Sequence, residues 1–353
     1  MAQPNSRRQF VWTLAGATAA MACHGEAPGP RAPEAGGAGS GHSERDGSAA
    51  GVPTRELGKT GVRVSMLGLG GSHIGKKLSE QESVALIRRA IDNGITFLDD
   101  CWDYNDGQSE LRMGKALAGG YRERVFLMTK IDGRTRAAAA GQLEQSLSRL
   151  QTDRIDLVQV HEVIRPDDPQ RCFSEGGTMQ ALIEARQAGK LRFIGFTGHK
   201  DPQIHLAMLA EAERHGFEFD TVQMPLNVMD AHFNSFEAHV LPVLLQKRIG
   251  VLGMKSMGSG DILDSKVVKP AECLRYALSL PTSVVICGMD SDRVLDENLQ
   301  TVRSFSALSS AERSALLART LDAAQNGKHE LFKTSHKYDG TIQNPKWLEQ
   351  AAL

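Results

Sequence analysis

Residues 125–133 read VFLMTKIDG. The run from Val125 to Met128 is typical of a strand that is buried on both faces, as in a parallel sheet. Lys130 follows this run, and it is explained either by a strand that has emerged into water or by a buried cation with a specific partner. The neighbouring segments decide between these two interpretations.

Seven other apolar runs of similar length flank this one. The eight predicted strands are SMLGLGG (65–71), ITFLDDC (95–101), VFLMTKI (125–131), IDLVQVH (155–161), FIGFTGH (193–199), TVQMPLN (221–227), GVLGMKS (250–256) and SVVICGM (283–289). Helical patterns separate them. The helix signals are the capping box Ser79-x-x-Glu82, the N-cap pair Asp201-Pro202, the apolar repeat Leu143/Leu147/Leu150 and the terminating glycines Gly94, Gly189 and Gly250.

Eight strand–helix units of roughly 30 residues, with strands apolar enough for burial on both faces, predict a closed parallel (β/α)8 barrel of the TIM type. We expect a single catalytic domain over residues 54–353. An open doubly wound sheet is the alternative. It is less well supported because Gly68-Leu69-Gly70-Gly71, after the first strand, lacks the G-x-G-x-x-G spacing.

Composition argues against several classes of protein. The chain has 353 residues, of which 41% are hydrophobic, and this is ample for a large core. The formal net charge of -1 gives no basic footprint for nucleic acid. The five cysteines, at positions 23, 101, 172, 273 and 287, have no metal-ligand spacing, and His161-Glu162 is not part of an H-E-x-x-H motif, so no metal site is predicted.

The N-terminal segment predicts export. Arg7-Arg8 precedes a short apolar stretch and resembles a twin-arginine signal, which the export machinery reads, so residues 1–23 are interpreted as a signal peptide. Two kinds of processing are equally compatible with this segment, namely cleavage after Ala20-Met21-Ala22 and lipidation of Cys23. Residues 24–53, rich in Gly, Ala, Pro and Ser, are predicted to be a flexible tether to a periplasmic or exported domain. A chance arginine pair, which would leave the protein in the cytoplasm, is the alternative.

Proton-handling side chains stand where three neighbouring strands end. The second strand ends in Asp99-Asp100 with Tyr104 just beyond, the third in Lys130 and the fourth in His161. The C-terminal ends of the strands in such a barrel meet at one face, where the chemistry takes place. Each residue alone is more often part of a structural ion pair, whereas the four together predict an active site.

These segments resemble the aldo-keto reductase family. FLDDCWDYNDGQSELRMGKAL (97–117) is similar to that family's Asp-Thr-Ala-x-x-Tyr-Gly-x-Ser-Glu segment, VFLMTK to the strand that carries its lysine, and IDLVQVH to the strand that carries its histidine. The resemblance implies an NAD(P)H-dependent oxidoreductase that reduces an aldehyde or ketone, a small-molecule carbonyl substrate. It also implies that Asp99, Tyr104, Lys130 and His161 are its catalytic residues.

The chemistry of carbonyl reduction agrees with this set. Hydride transfer from a nicotinamide leaves negative charge on the substrate oxygen, so a proton donor must lie within hydrogen-bond reach. We expect Tyr104 to be that donor, with Lys130 lowering the pKa of its phenol and Asp99 keeping Lys130 charged. His161 is expected to orient the carbonyl by donating a hydrogen bond to its oxygen.

The resemblance also implies cofactor contacts near the nicotinamide. Gln223 matches the glutamine that holds the carboxamide, and Lys255 is expected to approach the pyrophosphate. Met254 stands where a tyrosine often stacks on the nicotinamide, although core packing explains it equally well. Thr197-Gly198 occupies the family's Ser-Asn position, so the hydroxyl is kept and the amide is lost.

A second group of implied contacts lies at the adenosine end, in GMDSDRVLDEN (288–298). The predicted residues are Gly288, Ser291, Arg293, Glu297 and Asn298. No lysine precedes Ser291, and two aspartates flank it, which is a departure from the family pattern. Arg293 is therefore the residue expected to hold a 2′-phosphate, which favours NADP, with NAD as the alternative.

Several other residues and segments near the predicted active site have more than one interpretation. Trp102 is predicted to line the substrate pocket or else to pack in the core, and Cys101 is interpreted as a small buried hydrophobe. Segments 163–177 and 336–348 are expected to cover the site. Two alternative functions are a cofactor-bound regulatory or scaffold barrel with vestigial turnover and a Schiff-base lyase that uses Lys130, although Asp99 would oppose the neutral amine that a lyase needs.

Overall fold

The computed structural model describes residues 51–349. Within this range the strands, numbered along the chain, are β1 (Thr54–Glu56), β2 (Arg63–Ser65), β3 (Leu67–Gly70), β4 (Phe97–Asp99), β5 (Phe126–Ile131), β6 (Ile155–Val160), β7 (Leu191–Thr197), β8 (Thr221–Pro225), β9 (Gly250–Met254) and β10 (Val284–Gly288). Strands β3 to β10 are all parallel and close into a barrel, because β10 pairs with both β9 and β3. The predicted (β/α)8 barrel is confirmed, and the open sheet is excluded.

Helices surround the barrel. They are α1 (Glu80–Asp92), α2 (Gln108–Leu117), α3 (Arg136–Arg149), α4 (Asp168–Phe173), α5 (Thr178–Gln187), α6 (Pro202–Arg214), α7 (Phe236–His239), α8 (Leu241–Lys247), α9 (Pro270–Ser279), α10 (Asp292–Arg303), α11 (Ser310–Thr320), α12 (Leu331–Thr334) and α13 (Gly340–Gln343). The predicted capping box at Ser79 and the N-cap at Asp201 are both present.

Two of the three predicted helix-ending glycines are confirmed. Gly94 and Gly189 follow helices with φ angles of 97° and 78°, in the left-handed region that favours glycine. The prediction for Gly250 is wrong, since this residue begins β9. Arg248, with a φ of 55°, ends α8 instead.

The sequence pattern missed the hairpin of β1 and β2, which closes one end of the barrel. Its strands are antiparallel and three residues long, too short for a periodic pattern to be visible. Leu57 and Val64 of this hairpin pack with Phe97, Phe126 and other residues in the barrel interior. The polar side chains lie at the opposite end of the barrel, where the strands terminate.

The predicted signal peptide and most of the predicted tether lie outside the described residues. The tether's last part is described, and Val52 is 6% exposed and packs with the core between strands and helices. Among residues 51–349, no helix has the length and apolar character needed to cross a membrane.

Candidate active site

The four predicted catalytic residues converge at the C-terminal face of the barrel. Asp99 ends β4, Lys130 lies in β5, and Tyr104 and His161 lie in the loops after β4 and β6. Lys130 Nζ donates hydrogen bonds to Asp99 Oδ1 and to the backbone carbonyl of Asp100, and it lies 3.3 Å from the Tyr104 hydroxyl oxygen. The rings of Tyr104 and His161 are nearly perpendicular, with centroids 6.0 Å apart.

Lys130 is a buried cation, with a side chain that is 1% exposed. Burial alone would lower its pKa, but Asp99 and Tyr104 outweigh burial and hold the pKa of Lys130 well above its ordinary value. Burial raises the pKa of the Tyr104 phenol well above its ordinary value, and Lys130 opposes that rise. Lys130 thus acts in the expected direction, whereas the net shift at Tyr104 is upward and keeps the phenol protonated.

A cavity of about 380 Å³ opens beside this cluster, and Asp99, Tyr104 and Gln223 line it. Gln223 Nε2 donates to Asp99 Oδ2 at 2.8 Å. Gln223 Oε1 is buried and has no hydrogen-bond partner within residues 51–349. A nicotinamide carboxamide offers the N–H donor that this oxygen lacks, so the cavity fits the predicted cofactor.

Two more buried atoms on the cavity wall lack a partner in the described part of the chain, namely His73 Nδ1 and Asn298 Nδ2. His73 follows β3 and packs against Gly288 so closely that a Cβ on this glycine would lie 1.9 Å from His73 Nδ1. Unpaired polar atoms of this kind suit a ligand that carries phosphate, ribose and base donors and acceptors.

Lys255 also lines the cavity. Its Nζ lies 5.5 and 4.7 Å from the ring centroids of Phe332 and Tyr338. Burial lowers the pKa of Lys255 to about 8, although Glu162 and other acids oppose that change. Its φ of 53° is unusual for a residue other than glycine, and such backbone strain is concentrated at functional sites.

The structure divides the predicted cofactor residues into two groups. Those that line the 380 Å³ cavity are Gln223, Met254, Lys255, Gly288 and Asn298. Those that do not are Thr197, Gly198, Ser291, Arg293 and Glu297. Thr197 donates to Met254 Sδ at 3.9 Å, and Ser291 caps α10 by accepting from Val294 N.

Arg293 and Glu297 lie on the exposed side of α10. They form an ion pair of 2.7 Å, and the Arg293 side chain is 74% exposed. Both residues line a second cavity of about 640 Å³, which shares Asn298 with the first. The residues predicted for the adenosine end thus adjoin the cavity through Asn298, although Arg293 is not in its wall.

The two aspartates that flank Ser291 are both paired with cations. Asp290 Oδ2 lies 2.8 Å from Lys77 Nζ, and Asp292 Oδ1 lies 2.7 Å from Arg89 Nη1. These ion pairs reduce the negative electrostatic field of the two aspartates at the start of α10.

Both predicted covering segments contact residues that follow barrel strands. Segment 163–177 contains α4, where buried Asp168 accepts from Arg134 Nε at 2.9 Å. Segment 336–348 contains α13, and Glu162 accepts from the backbone N–H groups of Gly340 and Thr341 at 2.8 Å each. No residue of either segment lines the 380 Å³ cavity, so their covering of the site stays a prediction.

Trp102 does not line the 380 Å³ cavity. Its indole N–H donates to Gln145 Oε1 at 2.6 Å, and its ring packs edge-on against Trp347 with centroids 5.8 Å apart. Trp102 thus joins α3 to the covering segment, and a substrate contact for it stays a prediction.

Cys101, Asp103 and His161 place one ligand atom each within 4.8 Å of one another, a set that a metal ion could use. The sequence did not reveal this group, because its members come from two loops. Cys101 is fully buried as predicted, and burial raises the pKa of its thiol well above its ordinary value. His161 Nδ1 is already hydrogen-bonded to Asp132 Oδ1 at 2.9 Å, so a metal would have to displace this contact.

The residues that sequence reasoning missed are Asp132, Asp103, Glu162 and His73. Asp132 follows Lys130 by two positions, Asp103 precedes Tyr104, and Glu162 follows His161. Position beside a predicted catalytic residue is the signal that could have found the three acids.

Comparison with known proteins gives a consistent result. A model of the Aldo/keto reductase family matches residues 66–272, more than half of the chain. Aldo-keto reductase YhdN of Bacillus subtilis is 35% identical over 219 residues, which cover 58% of this chain and 62% of YhdN, less than two thirds of its length. L-galactose dehydrogenase of Arabidopsis thaliana is 28% identical over 297 residues, which cover 73% of this chain and 90% of that protein.

Among solved structures, the holo form of aldo-keto reductase AKR11C1 from Bacillus halodurans matches with a TM-score of 0.63. It is 22% identical, and the match covers 76% of this chain and 96% of that one, which supports the fold. With the family match, the relatives and the barrel in agreement, the chain belongs to the aldo/keto reductase family of oxidoreductases, which use nicotinamide cofactors.

Proposed function

We propose that this protein is an NADP-dependent carbonyl reductase in which Tyr104 donates the proton to the substrate oxygen. The observation that carries the proposal is the contact of Lys130 with both Asp99 and Tyr104 at the wall of a cavity where Gln223 Oε1 lacks a partner. The nicotinamide supplies the hydride when it is bound.

Each residue of the cluster has a distinct role in this proposal. Gln223 and Asn298 bind the cofactor through atoms that lack partners within residues 51–349. Tyr104 holds the proton that the developing alkoxide takes, and the Lys130 ammonium stabilises the phenolate that remains. Asp99 keeps Lys130 charged, and His161 donates a hydrogen bond to the substrate carbonyl.

The preference for NADP rests on Arg293. Its ion pair with Glu297 is exposed, so it is worth little and can give way to a phosphate. Asp290 and Asp292 are neutralised in part by Lys77 and Arg89, which supports NADP over the alternative, NAD.

The experiment is to purify the protein and measure binding of NADPH and NADH by fluorescence titration. Aldehydes, ketones and quinones are then screened for oxidation of the bound cofactor, and alcohols and sugars for its reduction, since one relative is a dehydrogenase. Tyr104→Phe is the control, and it should bind the cofactor without turnover. Failure to bind either nucleotide would refute the proposal, whereas binding without turnover of any substrate would favour a regulatory or scaffold role.

We also propose that the protein is exported to the periplasm or beyond by the twin-arginine machinery. The support is the sequence of residues 1–23 and the tether that follows. A lipid on Cys23 is the membrane attachment that this proposal allows.

A further inference from the structure

Four side chains with metal-binding atoms form a cluster around His161. Its Nδ1 lies 2.9 Å from Asp132 Oδ1, 3.3 Å from Cys101 Sγ and 3.7 Å from Asp103 Oδ1. The ligand atoms of Cys101, Asp103 and His161 all lie within 4.8 Å of one another. In a tetrahedral zinc site with ordinary bond lengths, neighbouring ligand atoms are about 3.3–3.6 Å apart. The spacing in this cluster is therefore close to that of a zinc site.

We propose that Cys101, Asp103, Asp132 and His161 bind one Zn²⁺ ion, which joins the loops after β4, β5 and β6 at the C-terminal face of the barrel. The sequence did not predict this site, because the four residues have no short, regular spacing. The proposal does not depend on carbonyl reduction. His161 would bind the ion through Nδ1, so the role already proposed for this residue in catalysis does not change.

Two carboxylate oxygens of the cluster lack a hydrogen-bond donor. Asp103 Oδ1 and Asp132 Oδ2 are buried, and neither has a hydrogen-bond partner within residues 51–349. The Asp132 side chain is 0% exposed, and Oδ2 belongs to the carboxylate whose Oδ1 contacts His161. A buried carboxylate oxygen without a partner is costly, and a cation bound beside it removes much of that cost. These two oxygens therefore indicate a cation as the missing partner.

Neighbouring cations of the protein are paired with other acids. Lys130 pairs with Asp99, and Arg134 pairs with Asp168. In the part of the chain that the structure describes, His161 is the one basic side chain that pairs with either carboxylate of the cluster. A divalent ion would supply the positive charge that these side chains do not.

The loops that carry the ligands are held by hydrogen bonds that do not use the ligand atoms. The backbone N–H groups of Asp132 and Gly133 both donate to Gln142 Oε1, at 2.9 and 2.8 Å. Arg134 donates to the backbone carbonyls of Asp132 and His161 at 2.7 Å each. Support of this kind orients metal ligands and leaves their side chains available for the ion.

The types of ligand favour zinc over the hard cations. A thiolate and an imidazole suit Zn²⁺, whereas Mg²⁺ and Ca²⁺ prefer a full set of oxygen ligands. Cys101 is fully buried, but the side chains of His161 and Asp103 are 10% and 13% exposed and give an ion a path into the cluster. On entry, the ion replaces the hydrogen bond between His161 and Asp132.

The direct test is to remove metal from the full chain with a chelator, keep the protein reduced and titrate it with Zn²⁺ by calorimetry. We expect the wild type to bind an equivalent of Zn²⁺ that needs Cys101. Cys101→Ala should weaken this binding by at least about 100-fold, because loss of a ligand costs more than loss of a residue that only orients one. No uptake of Zn²⁺ by the wild type, or unchanged uptake by Cys101→Ala, would overturn the proposal.

Cys23→Ala is the matched control for this titration. Cys23 is the one cysteine of the sequence that stands next to a histidine, His24, and such a pair binds metal without a folded site. The Zn²⁺ that depends on Cys101 should be retained in Cys23→Ala. Loss of the ion in Cys23→Ala and its retention in Cys101→Ala would assign the binding to the N-terminal pair and overturn the proposal.

Co²⁺ gives a second readout, which reports on the ligands themselves. A thiolate bound to Co²⁺ produces a charge-transfer band in the near ultraviolet, and we expect this band in the wild type and in Cys23→Ala but not in Cys101→Ala. Asp103→Asn changes a partly exposed ligand, so it keeps the proposal testable if Cys101→Ala does not fold. This variant should keep the band and bind Co²⁺ at least about 10-fold more weakly. Unchanged Co²⁺ affinity in Asp103→Asn would overturn the proposed ligand set.

Thermal unfolding separates this inference from the proposed function. Zn²⁺ should raise the Tm of the metal-free wild type and leave that of Cys101→Ala unchanged, because a ligand that binds only the folded state stabilises it. None of these measurements needs a carbonyl substrate. A protein that takes up Zn²⁺ through Cys101 but reduces no carbonyl compound would support the metal site alone, and a carbonyl reductase that takes up no Zn²⁺ would overturn the metal site alone.

Discussion

At the scale of single residues, Lys130 shows that burial and ion pairing have opposite effects on the pKa of a side chain. Its ammonium is surrounded by Asp99, Tyr104 and a backbone carbonyl, so the cost of removing it from water is offset by close partners. Burial raises the pKa of the Tyr104 phenol more than Lys130 lowers it, so the net shift is upward. In the proposed reaction, this phenol releases its proton only when an alkoxide develops beside it.

We predict that Lys130→Met cuts kcat by roughly 10²–10⁴-fold, the range for loss of effective acid–base catalysis. NADPH binding should be largely retained, because Lys130 does not line the cofactor cavity. The double variant with Tyr104→Phe should be little worse than the worse single variant, since members of one catalytic unit are not additive. Steady-state kinetics and fluorescence titration measure these effects.

Lys333→Met is the matched control for this substitution. Lys333 is 1% exposed and pairs with Asp230 at 2.7 Å, so its loss also leaves a buried carboxylate without its partner. Both variants should lower the free energy of unfolding by about 3–5 kcal/mol. Near wild-type kcat in folded Lys130→Met, or an equal loss of kcat in Lys333→Met, would contradict the catalytic assignment.

The convergence of Asp99, Tyr104, Lys130 and His161 was predictable from sequence because each lies at, or a few residues beyond, the end of a strand with a clear apolar pattern. The positions of the acids beside these residues are visible in the sequence, but their contacts with His161 depend on distances between three loops that no local pattern encodes. Asp132 is an example, because its neighbour His161 is 29 positions away. The exposure of the Arg293 side chain was also not predictable. The sequence indicates where the helix begins but not the direction in which a side chain points.

At the scale of elements, α10 carries the residues that we propose for the adenosine end of the cofactor site. Its N-terminus is capped by Ser291 and leaves backbone N–H groups that favour an anion. Arg293 in its first turn is paired only within the same helix, to Glu297. A 2′-phosphate would compete for this guanidinium with one exposed carboxylate.

We predict that Arg293→Ala weakens NADPH binding by on the order of 1.5–3 kcal/mol, as expected for a charge-assisted hydrogen bond, and leaves NADH binding nearly unchanged. Arg303→Ala is the control at the opposite end of α10, where the guanidinium contacts Asn93. Paired titrations of both nucleotides measure the difference. Equal weakening would mean that Arg293 contacts a group common to both, and a wild-type preference for NADH would refute the NADP proposal.

The covering segment 336–348 is attached by a buried carboxylate. Asp339 is 0% exposed and accepts hydrogen bonds from His199, Lys200 and His336 at 2.9, 2.8 and 2.7 Å. Burial alone would raise the pKa of Asp339, but these partners outweigh burial and hold it well below its usual range. A carboxyl group with a depressed pKa stabilises the folded state above its unfolded pKa, and this contribution is lost as the pH falls.

We predict that Asp339→Asn lowers the free energy of unfolding most at neutral pH, and that the difference from the wild type shrinks as the pH falls below about 4. Urea unfolding at several pH values measures it. Asp322→Asn, at an exposed position, should change stability by less than about 0.5 kcal/mol. A difference for Asp339→Asn that is independent of pH would show that shape, and not charge, attaches the segment.

At the scale of the whole molecule, eight repeated units made the barrel predictable. The barrel strands are buried over most of their length, and the N-cap signals at Ser79 and Asp201 lie where crossover helices begin. The β1–β2 hairpin and the exact ends of strands were not predictable, because short antiparallel strands and strand termini have no repeating pattern. The hairpin closes one end of the barrel, which leaves the other end for the site.

The last prediction concerns export, and it follows from the combination of the N-terminal sequence with a barrel that would bind its cofactor in the cytoplasm. The twin-arginine route carries folded proteins, which is what the resemblance implies for Arg7-Arg8. Replacing both residues by lysine should retain the protein in the cytoplasm, as measured by cell fractionation. The same change at Arg31 and Arg45, in the predicted tether, is the control because it removes two arginines without touching the signal. Unchanged export of the Arg7/Arg8 variant, or equal retention of both variants, would refute the twin-arginine interpretation.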